Sequence, residues 1–98
     1  MTLFDAVKQF TPPGVVLRSG RDDLFVDVVY DYGLIGSMQA QVEAFRQSMD
    51  EIKQVITELA LNGFAVHVSY CSWAANLRGS TGMFCLYRSS EPTEKPAG

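Results

Sequence analysis

Apolar residues recur at Met38, Val42, Phe45, Met49, Ile52, Ile56 and Leu59, in alternating steps of four and three. Such steps stay on one side of an α-helix, so the spacing predicts a helix over 38–61 with an apolar seam from end to end. Ile35 continues the register one step upstream, while Gln, Glu, Asp, Arg and Lys fill the positions between. Ser37 is placed to cap the start, and Asn62 with Gly63 to end it, since glycine accepts the left-handed conformation. Ser48 and Glu51 also match a capping box, which leaves open a break into two helices near Gln47. The unbroken register of the seam favours one helix.

A shorter apolar stripe of Leu3, Val7 and Phe10, with Phe4 and Ala6 beside it, predicts a helix over Thr2–Phe10. Thr2 caps it, Asp5 sits at the acidic capping-box position, and Pro12 and Pro13 end it. It reads as a lid over one end of the core; Lys8 alone is too little charge for a membrane-surface helix. Period-two patterns predict four strands, at Val15–Arg18, Leu24–Tyr32, Phe64–Trp73 and Met83–Arg88. Ser19 to Asp23 is turn material, and Gly33 and Gly36 break the second strand. On that strand Leu24, Val26, Val28, Tyr30 and Tyr32 should face the core, and Phe25, Asp27, Val29 and Asp31 the other side. On the third, Phe64, Val66, Val68 and Tyr70 should point inward, and Ala65, His67, Ser69 and Cys71 outward. Asn76 to Thr81 reads as a connection, and a turn near Leu77 and Arg78 brings Cys71 close to opposite Cys85. Residues 1–88 then form a single domain, and 89–98, mostly Ser, Glu, Pro, Thr, Lys and Gly, a flexible tail.

The order α-β-β-α-β-β places the chain in the α+β class: a four-stranded antiparallel sheet of two hairpins, with the long helix packed on one face. Two lengths then disagree. A helix of about 24 residues is about 36 Å long, whereas a strand of about seven residues covers only about 23 Å. The excess apolar length calls for a second surface. So does the far face of the sheet, where Val16, Phe25, Val29, Ala65, Cys71 and one set from Met83 to Tyr87 are too apolar to be left wet, unless the first helix covers part of it. Self-association, most simply an isologous dimer, is the expectation.

Composition narrows the function classes. The chain has 98 residues, 47% apolar and 19% charged, with a formal net charge of −3. That suits a small folded domain and argues against a protein built on contacts to a phosphate backbone, which carries a basic excess. No basic, apolar leader and no membrane-length apolar run is visible, so a cytoplasmic setting with Cys71 and Cys85 as thiols is expected.

Candidate chemistry is sparse. His67 and Cys71 are the one pair suggestive of nucleophilic catalysis, but four strand residues separate them by about 13 Å. With one histidine and no CxxC pair, no zinc set is available, and Asp22, Asp23, Asp27 and Asp31 do not have calcium-loop spacing. Gly79-Ser80-Thr81-Gly82 beside Arg78 could cradle a phosphate through backbone amides, although it lacks the P-loop lysine and reads more simply as a hairpin connection. No cofactor is implied. Trp73 and Arg78, with Tyr70 and Leu77 near them, have the residue types of binding hot spots, though Trp73 could equally plug the end of the core.

The reading that follows is a non-catalytic protein-binding module, homodimeric, that regulates or inhibits a larger protein partner. Its contacts are assigned to Trp73, Leu77, Arg78, Phe25 and Val29. Phage and mobile-element inhibitors such as anti-CRISPR proteins offer an analogy of size and character only. Two alternatives stay open: a small-molecule binder or enzyme using a groove with His67 and Cys71, and a nucleic-acid binder using the sheet face and the Arg78 loop.

Overall fold

A computed structural model describes residues 1–33, 37–76 and 79–89, the side chains of Arg21 and Asn76 excepted. Ile35 and Gly36, and residues 90–98 of the tail expected over 89–98, lie outside the described residues; Ser89, its first residue, is held instead by a hydrogen bond from its N–H to Ala65 O at 2.8 Å. The elements are α1 (Leu3–Phe10), β1 (Val16–Ser19), β2 (Phe25–Gly33), α2 (Met38–Leu61), β3 (Val66–Asn76) and β4 (Gly79–Arg88). The strands form one sheet in the order β1-β2-β4-β3, antiparallel throughout. Among the described residues the fold is α+β, with two α-helices, a 3-10 turn at Arg21–Asp23 and an open antiparallel sheet.

The local signals work as their chemistry requires. Thr2 Oγ1 accepts from Asp5 N at 3.1 Å at the start of α1, and Ser37 Oγ accepts from Ala40 N at 3.1 Å at the start of α2. Gly63 takes φ of 90° just past the end of α2, the conformation that glycine adopts without a Cβ penalty. Between β1 and β2, Asp22 and Asp23 are left-handed at φ of 63° and 56°, which aspartate tolerates better than most residues.

The long helix is continuous through Gln47. Ser48 is not a cap but a buried mid-helix residue: its hydroxyl donates to Ala44 O at 3.1 Å and accepts from Tyr32 Oη at 2.7 Å. The face of α2 turned to the core is Phe45, Ser48, Ile52, Val55 and Leu59, with Ile56 beside it. That corrects the seam. Met38, Val42 and Met49 are 61%, 45% and 38% exposed, displaced to one flank of the helix.

Core residues come from every layer: Leu3, Ala6 and Val7 of α1; Val26, Val28 and Tyr30 of β2; Val66, Phe84 and Leu86 of the second hairpin. Phe84 is central, stacked on Phe45 at 5.2 Å and met edge-on by Tyr30 at 5.8 Å. Gly82 lets α2 approach, because a Cβ there would run into the Tyr32 hydroxyl and the Phe45 ring. Leu24, expected inside, is exposed just ahead of β2.

Three expectations change in the second hairpin. β3 extends to Asn76 and β4 begins at Gly79, so Asn76 and Gly79 to Thr81 are strand residues, not a connection. The hairpin strands have eleven and ten residues, so β3 alone runs about 36 Å. It matches α2, and the expected overhang of the helix beyond its sheet disappears. Finally, Val68 pairs with Leu86 but Tyr70 with Cys85, leaving Ser69 as the extra residue of a bulge. A bulge shifts the alternation by one. Tyr70 therefore turns outward, and Cys71 turns to the helix side, opposite Phe84 rather than Cys85.

Candidate functional site

Both helices lie on one side of the sheet, since α1 and α2 bury their apolar residues in a common core. α1 is a lid there, as expected, and covers none of the opposite face. Among the described residues nothing else covers it. The register arranges that face in rows. Val16, Val29, Met83 and Ser72 form one; Arg18, Asp27, Cys85 and Tyr70 the next; Phe25, Tyr87 and His67 the third.

The third row is an aromatic strip. Phe25 stacks on Tyr87 with centroids 6.3 Å apart and planes 5° from parallel, and His67 lies 6.1 Å from Tyr87 on its other side. The ring of Phe25 also occupies the space where a Cβ on Gly20 would sit, which ties the strip to the β1–β2 turn. His67 Nδ1 and Ser89 Oγ are hydrogen-bonded at 3.3 Å. The first row is aliphatic, with Val16 55% exposed and Val29 and Met83 half-buried. Tyr70, turned out by the bulge, is 56% exposed.

Charge on this face is local and mixed. Arg18 sits across from Asp27. Cys85 lies between Asp27 and the third strand. Burial, joined by the Asp27 carboxylate, pushes the Cys85 thiol up, a hydrogen bond with Ser69 offsetting part of the rise. A thiol held protonated is a poor nucleophile.

Of the residues assigned to partner binding, Phe25 and Val29 lie on this face, half-buried. Trp73 does not join them. It pairs with Gly82 on the helix side, half-buried, with its indole Nε1 out of solvent and without a hydrogen-bond partner. Leu77 and Arg78 lie outside the described residues. His67 and Cys71, expected to share a face, are on opposite faces because of the bulge. Gly79 to Gly82 form part of a strand, not a free loop. Tyr70, Tyr87, Met83 and Val16 complete the exposed face. Alternation identified Val16 as facing outward, whereas only the bulge brings out Tyr70.

Among the described residues no three His, Cys, Asp or Glu side chains gather as a metal site, and no helix is long and apolar enough to cross a membrane. Comparisons with protein-family models, curated proteins and solved structures find no match to this chain.

Proposed function

We propose that this protein is a non-catalytic, homodimeric protein-binding module that regulates or inhibits a larger protein partner. The bare sheet face is the observation that supports it. A four-stranded face carrying Val16, Phe25, Val29, Tyr70, Met83 and Tyr87 offers aliphatic and aromatic contact area with few charges, the composition of an interface centre. Wetting such a face is costly, and covering it with a partner recovers that cost.

The other readings draw less support. A groove chemistry using His67 and Cys71 needs both on one side of the sheet, and β3 separates them. Stacking of bases would suit the aromatic strip, but a nucleic-acid surface also needs clustered positive charge. On this face Arg18 stands against Asp27, with Asp31 on the same strand.

The test is co-purification from the native host, comparing the wild-type chain with Val29→Asp/Met83→Asp, both checked for folding by circular dichroism. A stoichiometric protein retained by the wild type and lost by the folded variant is the expected result. A partner held equally by both, or a nuclease-sensitive complex, would overturn the reading.

A further inference from the structure

The two edges of the sheet are built differently. β1, at one edge, has four residues and carries Arg18. A short, charged edge is the usual guard against unwanted strand pairing. β3, at the other edge, has eleven residues and contains no Lys, Arg, Asp, Glu or Pro. Its one guarding feature is the bulge at Ser69, and beyond it Tyr70 to Asn76 pair with β4 without interruption.

The direction of the open hydrogen-bonding groups follows from two contacts. Arg88 N donates to Leu24 O at 2.8 Å, and Ser89 N donates to Ala65 O at 2.8 Å. Even-numbered residues of β4 therefore bond toward β2, and odd-numbered ones toward β3. Val66, Val68, Cys71, Trp73 and Ala75 each pair with an even-numbered residue. Their own N–H and C=O groups thus point away from β4, to an edge that no described strand pairs, as a ready template for one more strand.

The side chains above that edge are apolar. Met49, Ile52, Val68, Cys71 and Phe84 line a groove of about 130 Å³ between α2 and β3, with Lys53 beside it. Val42 and Met38 lie on the same flank of α2 by helical spacing. They are the positions of the seam that the monomer's core leaves out.

We infer that β3 is a dimerisation edge: a second copy of this chain adds its own β3 antiparallel to the first, giving a continuous eight-stranded sheet flanked on one side by Met38, Val42 and Met49 of both copies. Charge and area select a second copy as the occupant. An antiparallel pair related by a two-fold axis lays each strand on its own reverse, and a strand without charged residues meets no like charge when so paired. The edge is about 36 Å long and, counting strand and overlying helix, about 15 Å deep. That gives roughly 500 Å² per copy and roughly 1,000 Å² in all, the lower bound for a specific interface. The pairing deepens the homodimeric part of the function proposed above. It uses a surface separate from the bare sheet face, so either can fail without the other.

Sedimentation velocity over a concentration series tests it, with amide hydrogen exchange as the residue-level readout. The wild-type chain should sediment as a dimer, with the amides of Val68, Cys71, Trp73 and Ala75 protected. Cys71→Lys places a charge at mid-edge, and Ala75→Pro removes an outward N–H without breaking the β3–β4 ladder. Each should yield a folded monomer in which the amides of Val68 and Trp73, present in both variants, exchange freely. Val29→Lys, on the bare face, should remain dimeric. A monomeric wild type, a dimer that survives both edge substitutions, or one that Val29→Lys dissociates would overturn the inference. If an edge variant fails to fold, fast exchange of the four wild-type amides at dimer concentrations overturns it as well.

Discussion

Arg88 Nη2 meets Asp23 Oδ2 at 2.7 Å across 65 positions of the chain. The same carboxylate accepts from Leu3 N with both oxygens at 2.9 Å, so it also holds the first turn of α1. The guanidinium lies 5.2 Å from the centre of the Phe64 ring. One contact therefore joins the N-terminal helix, the first hairpin, the exit of α2 and the end of β4.

Asp23→Asn should lower stability by about 1 kcal/mol, the scale of a helix cap together with a half-exposed ion pair. Desolvation raises the Asp23 carboxyl, but the Leu3 and Phe4 amides and Arg88 outweigh it, and the net shift is downward. A lowered carboxyl stabilises the fold above its unfolded value near 4 and loses that contribution as pH falls further. Urea midpoints measured from pH 6 down to about 2.5 should fall less steeply for Asp23→Asn than for the wild type.

Tyr30 and Tyr32 anchor the middle of α2, Tyr30 Oη donating to Glu51 Oε1 at 3.0 Å and Tyr32 Oη to Ser48 Oγ at 2.7 Å. Burial raises both phenols above their ordinary value; Glu51 adds to the rise at Tyr30, while at Tyr32 the Ser48 hydrogen bond offsets part of it. The unfolded chain then loses these protons first, so stability should decline once pH passes about 10. Tyr30→Phe with Tyr32→Phe should flatten that alkaline limb. Ser48→Ala, which leaves the Tyr32 hydroxyl without its acceptor, should cost about 1–2 kcal/mol at neutral pH.

Phe45 and Met49 lie one helical turn apart, yet they should respond oppositely to an acid. Phe45→Asp puts a charge against Phe84 and should abolish cooperative unfolding. Met49→Asp, on the exposed flank, should leave the circular dichroism spectrum intact and reduce the apparent mass in light scattering.

The two cysteines, on opposite faces of the sheet, cannot reach one another within a chain. Mild oxidation should leave no intramolecular disulfide, as mass spectrometry would register. In the chain diluted to monomer, Cys71, which is exposed there, should react with a thiol reagent faster than Cys85, which is half-buried with a raised pKa. Asp27→Asn removes one cause of that rise and should narrow the gap.

Local periodicity was enough to establish the six elements, the single long helix and the buried side of β2. Those features depend on residues two to four apart, and the alternation of Val26, Val28 and Tyr30 has one stable reading beside a core. Both halves of the notion of surplus apolar surface were also legible, in the number of apolar positions on α2 and on the outer side of β2. Where that surplus lies was not. The helix was expected to overrun its sheet; instead it is rotated so that Met38, Val42 and Met49 fall to the flank, while Ser48 and Val55 take the core positions.

What remained was decided by contacts distant in sequence. Strand order depends on β2 pairing with β4, and no local pattern encodes it. The bulge at Ser69 adds one residue to β3 against a fixed partner strand, so a single extra backbone unit exchanges the faces of Tyr70 and Cys71 and parts Cys71 from His67. Alternation counted along one strand cannot detect that shift, because it is set by the register of the strand beside it.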